Sequence, residues 1–183
     1  AIIRYRSVQG EMESIYDLLS VPGIGPKIFA KMTGLDSDNR ADRGAALKRM
    51  LEMPQSSSGR LAEMTEATVK VCNVAGCIIA GKDGLVISSN KSMARERARQ
   101  YAVLAGKIFR GTKKHISRLS GKDPNMVAMP GSDPPLLFIG RKHIFLILAI
   151  KDAKSFKAVS DRSGGLATEL DWLLSDRAIV GKK

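Results

Sequence analysis

The run IFLILAI at residues 144–150 holds seven apolar side chains and no polar one. A strand sends successive side chains to opposite faces, so a strand apolar at every position must be covered on both sides. A chain built around it needs a sheet with helices on each face. The neighbouring sequence supplies the other strands. PPLLFIGRKHIFLILAIKD reads as a strand pair turning at Gly140 to His143, and MVAMPG before it as a further strand. AGCIIAGKDGLVISSN, residues 75–90, reads as an antiparallel pair with strands around 71–80 and 85–89, joined by a two-residue Asp83-Gly84 turn that tolerates positive φ.

Helical periodicity fills the segments between. NKSMARERARQYAVLAGKIFRGTKKHISRL lacks proline and carries an apolar stripe of Tyr101, Leu104, Ala105, Ile108, Ile116 and Leu119. At 100° per residue, Arg95, Arg99, Lys107, Arg110, Lys113, Lys114 and Arg118 fall on the other side, with Asn90 or Ser92 placed to cap the start. RLAEMTEATVKV is amphipathic, with Leu61, Met64 and Thr68 on one stripe. SGGLATELDWLLSD is a final helix burying Leu166, Leu170, Leu173 and Leu174, with RSGGLATE as the loop feeding its N-terminus. Towards the start, GEMESIYDLLSVPGIGPKIFAKMTGL gives two short helices around a Pro-Gly-Ile-Gly-Pro turn, the second ending near Gly34. A further helix holds Ala46, Leu47, Met50 and Leu51 before PQSSSG ends the pattern. The expected fold is therefore α+β: a mostly antiparallel five-stranded sheet with helices on both faces, preceded by a small all-α helical hairpin region. The expected division is a helical region at 1–55 and a sheet domain at 56–183.

Composition narrows the function. Apolar residues make up 44% and charged residues 26%, the balance of a folded globular chain. No segment has the length of a membrane span, and AIIRYRSVQGEME lacks the apolar core and cleavage site of a secretion signal, so a cytoplasmic location is expected. Cys72 and Cys77 fall on what reads as one strand, facing opposite ways and unable to pair, as inert core thiols. His115 and His143 have no metal-ligand spacing to them. No phosphate loop, nucleophile motif or paired-carboxylate constellation is present, so neither catalytic residues, a metal nor a cofactor is assigned.

Thirty Lys and Arg stand against eighteen Asp and Glu, a net charge of +12, which calls for an acidic partner. The excess grows along the chain: +2 over residues 1–60, +4 over 61–110 and +6 over 111–183. Between Lys91 and Arg118 nine basic residues face one acid, Glu96, so the helix has little internal pairing to offset repulsion. The candidates for neutralising it are DNA or RNA phosphate and an acidic patch on a protein.

Two resemblances follow from these stretches. CNVAGCIIAGKDGLVISSN and the order helix, hairpin, helix, three strands, helix over residues 60–176 resemble the Roadblock family of dimeric regulators, of the profilin-like and longin-like folds. MPGSDPP departs by placing prolines where that family has its third, dimer-forming strand. The resemblance implies a non-enzymatic homodimer, or a heterodimer with a related chain, that binds a Ras-like small GTPase or acts as a scaffold. LLSVPGIGPKIFAKM, within residues 18–34, resembles a helix-hairpin-helix nucleic-acid-binding motif. Gly23 and Gly25 would allow close backbone approach to a phosphate, Ile24 would anchor the turn, and Lys27 and Lys31 would add charge. With Arg95, Arg99, Arg110, Lys113 and Lys114 these form the candidate nucleic-acid contacts, and the alternative function is a DNA-binding protein whose sheet domain only dimerises.

Overall fold

A computed structural model describes residues 18, 24–33, 40–54, 56–120 and 124–180. Its elements run α1 (Pro26–Thr33), α2 (Arg40–Met50), α3 (Leu61–Val71), β1 (Gly76–Gly81), β2 (Val86–Ser89), α4 (Arg95–Ser120), β3 (Met126–Met129), β4 (Leu136–Gly140), β5 (Ile144–Ala149) and α5 (Phe156–Val180). The strands form one sheet in the order β2-β1-β5-β4-β3, and every pairing is antiparallel. The apolar run is the central strand, as its pattern requires. Ile144, Leu146 and Leu148 point into a core with Leu166, Leu170 and Leu173 of α5, Met64 of α3 and Leu47 of α2. Phe145, Ile147 and Ala149 point the other way, into a core with Ala98, Ala102, Ala105 and Phe109 of α4. Among the described residues three helices cover one face and one helix covers the other.

The PQSSSG segment is pinned to its neighbours. Lys48 Nζ donates to the Ser57 carbonyl at 2.7 Å, and the hydroxyls of Ser57 and Ser58 donate to the two oxygens of Glu63 at 2.6 and 2.7 Å. These hydroxyls hold the Glu63 carboxyl below its ordinary pKa. Leu47 and Leu51 of α2 are buried in the same core as the sheet, whereas Met50, expected beside them, is exposed.

Several local expectations change. The first hairpin strand begins at Gly76, because α3 runs to Val71 and Asn73 takes a left-handed φ of 51° that ends the helix. The hairpin loop has three residues rather than two: Gly84 N–H donates to the Gly81 carbonyl, Gly81 N–H to that of Leu85, and only Gly84 has positive φ, 84°. This is a type I turn closed by a bulge, in which Asp83 keeps ordinary φ and its side chain accepts from Leu85 N–H. Asn90 does not cap α4. It is buried, and its Oδ1 accepts from Cys77 N–H at 2.8 Å, so it tethers the hairpin to the chain leaving it.

The buried stripe of α4 is Ala98, Ala102, Ala105 and Phe109, with Tyr101, Leu104 and Ile108 half-buried at its side and Ile116 exposed. The side chains of Arg118 and Leu119 lie outside the described ones. The last helix starts at Phe156, and Gly164 and Gly165, expected in a loop, lie buried inside it. Their weak helix propensity, about 1 kcal/mol each against alanine, is overridden by tertiary contacts. Arg141 donates to the Gly164 carbonyl and to Thr168 Oγ1, both at 3.0 Å, while Asp171 Oδ1 accepts from the backbone N–H groups of His143 and Ile144. The β4–β5 turn is thus clamped onto α5. Pro130, Pro134 and Pro135 fall in the β3–β4 connection, leaving β3 itself without proline.

Cys72 lies just past the end of α3 rather than on β1, and both cysteines are buried in the same core as free thiols. Burial pushes the Cys72 thiol up from 9.0 to about 11, opposed by the nearby Arg162 charge, and it pushes Cys77 up as well. A thiol with a raised folded pKa keeps its proton while the unfolded chain loses it. The stability it contributes is therefore full below about pH 9 and is lost as pH rises through about 11. Denaturant unfolding across pH 8–11 should show a loss greater by about 2 kcal/mol in the wild-type chain than in the Cys72→Ala variant. Parallel slopes for the two proteins would contradict it.

Candidate functional site

No constellation of four or three metal-binding side chains forms among the described residues, so surfaces carry the functional reading. Helix α4 determines most of them. At about 1.5 Å per residue its 26 residues extend roughly 39 Å, longer than any strand beneath it. Small residues on the sheet side, Ala98, Ala102, Ala105 and the buried Gly106, let its backbone lie close, and the hairpin tip reaches it: a Cβ on Gly84 would stand 3.6 Å from Val103 Cα. The outer side is left to solvent.

Arg95, Arg99, Arg110, Lys113 and Lys114 are all exposed, as the sequence predicts. Arg95 and Arg99 are one turn apart, as are Arg110 and Lys114. About 16 Å of helix separates the two pairs. Arg110 Nε donates to the Gly106 carbonyl of its own helix at 3.1 Å. Lys113 departs from the set, since it stands on the sheet side of the helix and lines a cavity with Lys82, Arg141 and Lys142. Sequence reasoning missed those three. Their signal was a basic residue in each of the two turns, GKDG and GRKH, which gains meaning only once strand order brings the turns together.

The N-terminal candidates are partly visible. Gly23 and the helix expected before it lie outside the described residues. Ile24 is buried, Gly25 is exposed, and its carbonyl accepts from Phe29 N–H at 2.9 Å, so Gly25 sits at the cap of α1 with Pro26 opening the helix. No neighbour lies within 4 Å of where a Cβ on Gly25 would be, so the fold itself does not demand glycine there. Lys27 and Lys31 are exposed, but so are Ile28 and Met32 on the same short helix, 48% and 54%. Among the described residues no substantial packing joins α1 to α4, so the two basic sets are not brought together.

Apolar surface is the second component. Leu85, Ile87 and Val103 are 68%, 44% and 49% exposed around the β2 edge. Tyr101 and Ile108 on the other flank of α4, and Val127 and Met129 of the opposite edge strand β3, are half-buried on this same face of the sheet. An edge strand bordered by half-covered apolar side chains is a surface suited to pairing with another chain. Among the described residues no helix is long and apolar enough to cross a membrane.

Comparison with known proteins agrees with this architecture. Residues 60–148 match the model of the Roadblock/LC7 domain. No curated protein sequence matches the chain. Among solved structures, MglB of Myxococcus xanthus aligns with a TM-score of 0.51 at 17% identity, covering 60% of this chain and 89% of that one. A Roadblock/LC7 domain from Streptomyces avermitilis gives 0.48 at 20% identity, over 62% and 98%. An MglB structure with a tetrameric arrangement gives 0.49 at 14% identity, over 72% and 92%. The segment that builds α3, the hairpin, α4 and the centre of the sheet, residues 60–148, is thus similar to a Roadblock/LC7 domain.

Proposed function

We propose that the chain is a non-enzymatic regulatory or scaffolding subunit that dimerises through its Roadblock/LC7 domain and binds a Ras-like small GTPase, with the helices before residue 60 as an appended element. The observation that carries this reading is the β3 edge. Met126–Met129 forms the outermost strand, and Val127 and Met129 share a face with Tyr101 and Ile108 of α4. Pairing two copies along β3 would satisfy the outer backbone groups and cover those side chains at once. The prolines that the sequence places in this region leave the strand's own donors intact.

Dimerisation is tested by light scattering at tens of micromolar, where the wild-type chain should behave as a dimer. Ile108→Glu puts a charge among these half-buried side chains and should weaken self-association by roughly ten- to a hundred-fold, the range expected for losing one buried aliphatic contact, while circular dichroism stays unchanged. A wild-type chain that remains monomeric would count against the reading.

The GTPase partner is tested by pull-down with Ras-like GTPases loaded with GDP or with a non-hydrolysable GTP analogue. One nucleotide state should be retained in preference to the other. Intrinsic GTP hydrolysis by the purified chain would overturn the non-enzymatic assignment.

A second reading, nucleic-acid binding with the sheet domain as dimeriser, is favoured by one observation, the exposed Arg95, Arg99 and Arg110 of α4. It predicts that affinity for mixed-sequence duplex falls with salt at a log-log slope of about 0.9 per phosphate contacted. Gly25→Val, which the fold accommodates, should then weaken binding if the N-terminal turn approaches phosphate, and Arg95→Ala, Arg99→Ala, Arg110→Ala should weaken it through lost charge. Absence of binding to duplex and single strand at low salt removes this reading.

A further inference from the structure

Strand register sets the β1–β2 loop and the β4–β5 turn at the same end of the sheet, because Gly81 pairs with Ile144. Helix α4 passes over that end. Between these three segments opens a cavity of about 550 Å³, within the range of small-ligand sites, and Lys82, Lys113, Arg141 and Lys142 line it together with Asn125 and Phe109. Four basic side chains from three separate segments thus line one cavity. The carboxylate whose charge acts on both Lys82 and Arg141 is Asp171 of α5, and its Oδ1 already accepts two backbone N–H groups.

Two of the cations, Lys82 and Arg141, are held in place by the fold. Lys82 Nζ lies 4.0 Å from the ring centroid of Phe145 and 5.6 Å from that of Phe109, and the two rings stack at 5.1 Å and 14°. Gly140 keeps room for this stack, since a Cβ there would meet Phe109 Cε1 at 2.9 Å. Arg141 is oriented by Thr168 Oγ1 and by the carbonyls of Gly164 and Gly140. Burial lowers the pKa of Lys82, the direction expected of an ammonium drawn partly out of water, and the Asp171 charge opposes the shift.

We propose that this pocket binds a small anion bearing two or more phosphoryl groups, such as a polyphosphate or the phosphate chain of a larger molecule. A single phosphate reaches few of the four basic side chains that line a cavity of this size, whereas a chain of phosphoryl groups presents acceptors to several of them. The aromatic floor is buried and lies under Lys82, so it offers no face on which a base would stack. Recognition is therefore of charge and phosphate geometry. The pocket lies at the end of the strands and the β3 edge at the side of the sheet, so this inference stands apart from the dimer and GTPase reading.

The test is calorimetric titration of the full chain with inorganic triphosphate at about 50 mM salt, where screening is modest. One triphosphate per chain is expected, with orthophosphate at least about ten-fold weaker. Lys82→Gln and Lys142→Gln should each weaken triphosphate binding by about ten-fold, as for loss of one charge-assisted hydrogen bond. Arg95→Gln with Arg99→Gln, on the outer face of α4, should leave it unchanged. Should Lys82→Gln lower the melting temperature by disturbing the aromatic stack, the exposed Lys142→Gln decides alone. The proposal is overturned by absence of saturable binding, by several triphosphates per chain, or by an outer-face variant as damaging as the lysine variants.

Discussion

Double-sided burial of the central strand is the constraint on which the rest of the structure depends. β5 has no polar side chain to turn to water, and each of its residues is removed from solvent. Burying one aliphatic side chain stabilises by about 1.5–3 kcal/mol, so leaving either face open would forfeit several such contributions. The strand must therefore be flanked on both edges and roofed on both faces. β1 and β4 supply the edges and alternate in the same way: Cys77, Ile79, Leu137 and Ile139 towards α5, Ile78, Ala80, Leu136 and Phe138 towards α4. The outer strands β2 and β3, shorter and half-exposed, are what the central three leave over.

The two faces solve the covering problem differently. On one side α2, α3 and α5 share the load, and polar ties lock them together: Glu63 to Ser57 and Ser58, Arg141 to Thr168, Asp171 to the β4–β5 turn. On the other side, among the described residues, α4 works alone. A single helix is narrower than a five-stranded sheet, so its flanks stay half-covered, at Val103 near β2 and at Tyr101 and Ile108 towards β3. Half-covered apolar flanks are the places where a second chain adds the most burial per residue. The likeness to a Roadblock/LC7 domain over residues 60–148 spans this sparsely covered face.

The sequence made legible whatever depended on a strong local period. IFLILAI announced a strand buried on both sides, the Asp83-Gly84 pair announced a hairpin, and the proline-free arginine-rich stretch announced a long helix. It concealed what depends on geometry between elements. Ala98 and Ala102 drew no attention as core residues because alanine contributes little to an apolar stripe, yet closeness to the sheet is what that position requires. Gly164 and Gly165 suggested a loop by propensity, and contacts to the β4–β5 turn made them helix. Asn90 looked like a cap because a helix follows it, but an unpaired N–H on Cys77 had the stronger claim. Lys82, Arg141 and Lys142 lie up to 60 residues apart and were read separately as turn residues, since nothing local encodes the pairing of Gly81 with Ile144.

The charge on the outer side of α4 bears on how partner binding and folding are divided. Like charges one turn apart on a helix destabilise it by a few tenths of a kcal/mol per pair, and Arg95 with Arg99 and Arg110 with Lys114 are two such pairs. An isolated helix would feel this; α4 does not depend on it, because Ala98, Ala102, Ala105 and Phe109 anchor it to the sheet from the opposite side. The exposed cations thus contribute no packing and oppose the helix slightly. Changing them should alter what the surface attracts far more than whether the chain folds, while changing Phe109 or Gly140 would disturb the core and the cationic pocket together. Interaction at the outer face is separable from stability; at the end of the sheet the two are coupled through Phe109 and Gly140, though not through the exposed Lys142. A ligand bound there would hold together the β1–β2 loop, the β4–β5 turn and α4, so its binding free energy would add directly to the stability of the sheet's covered faces.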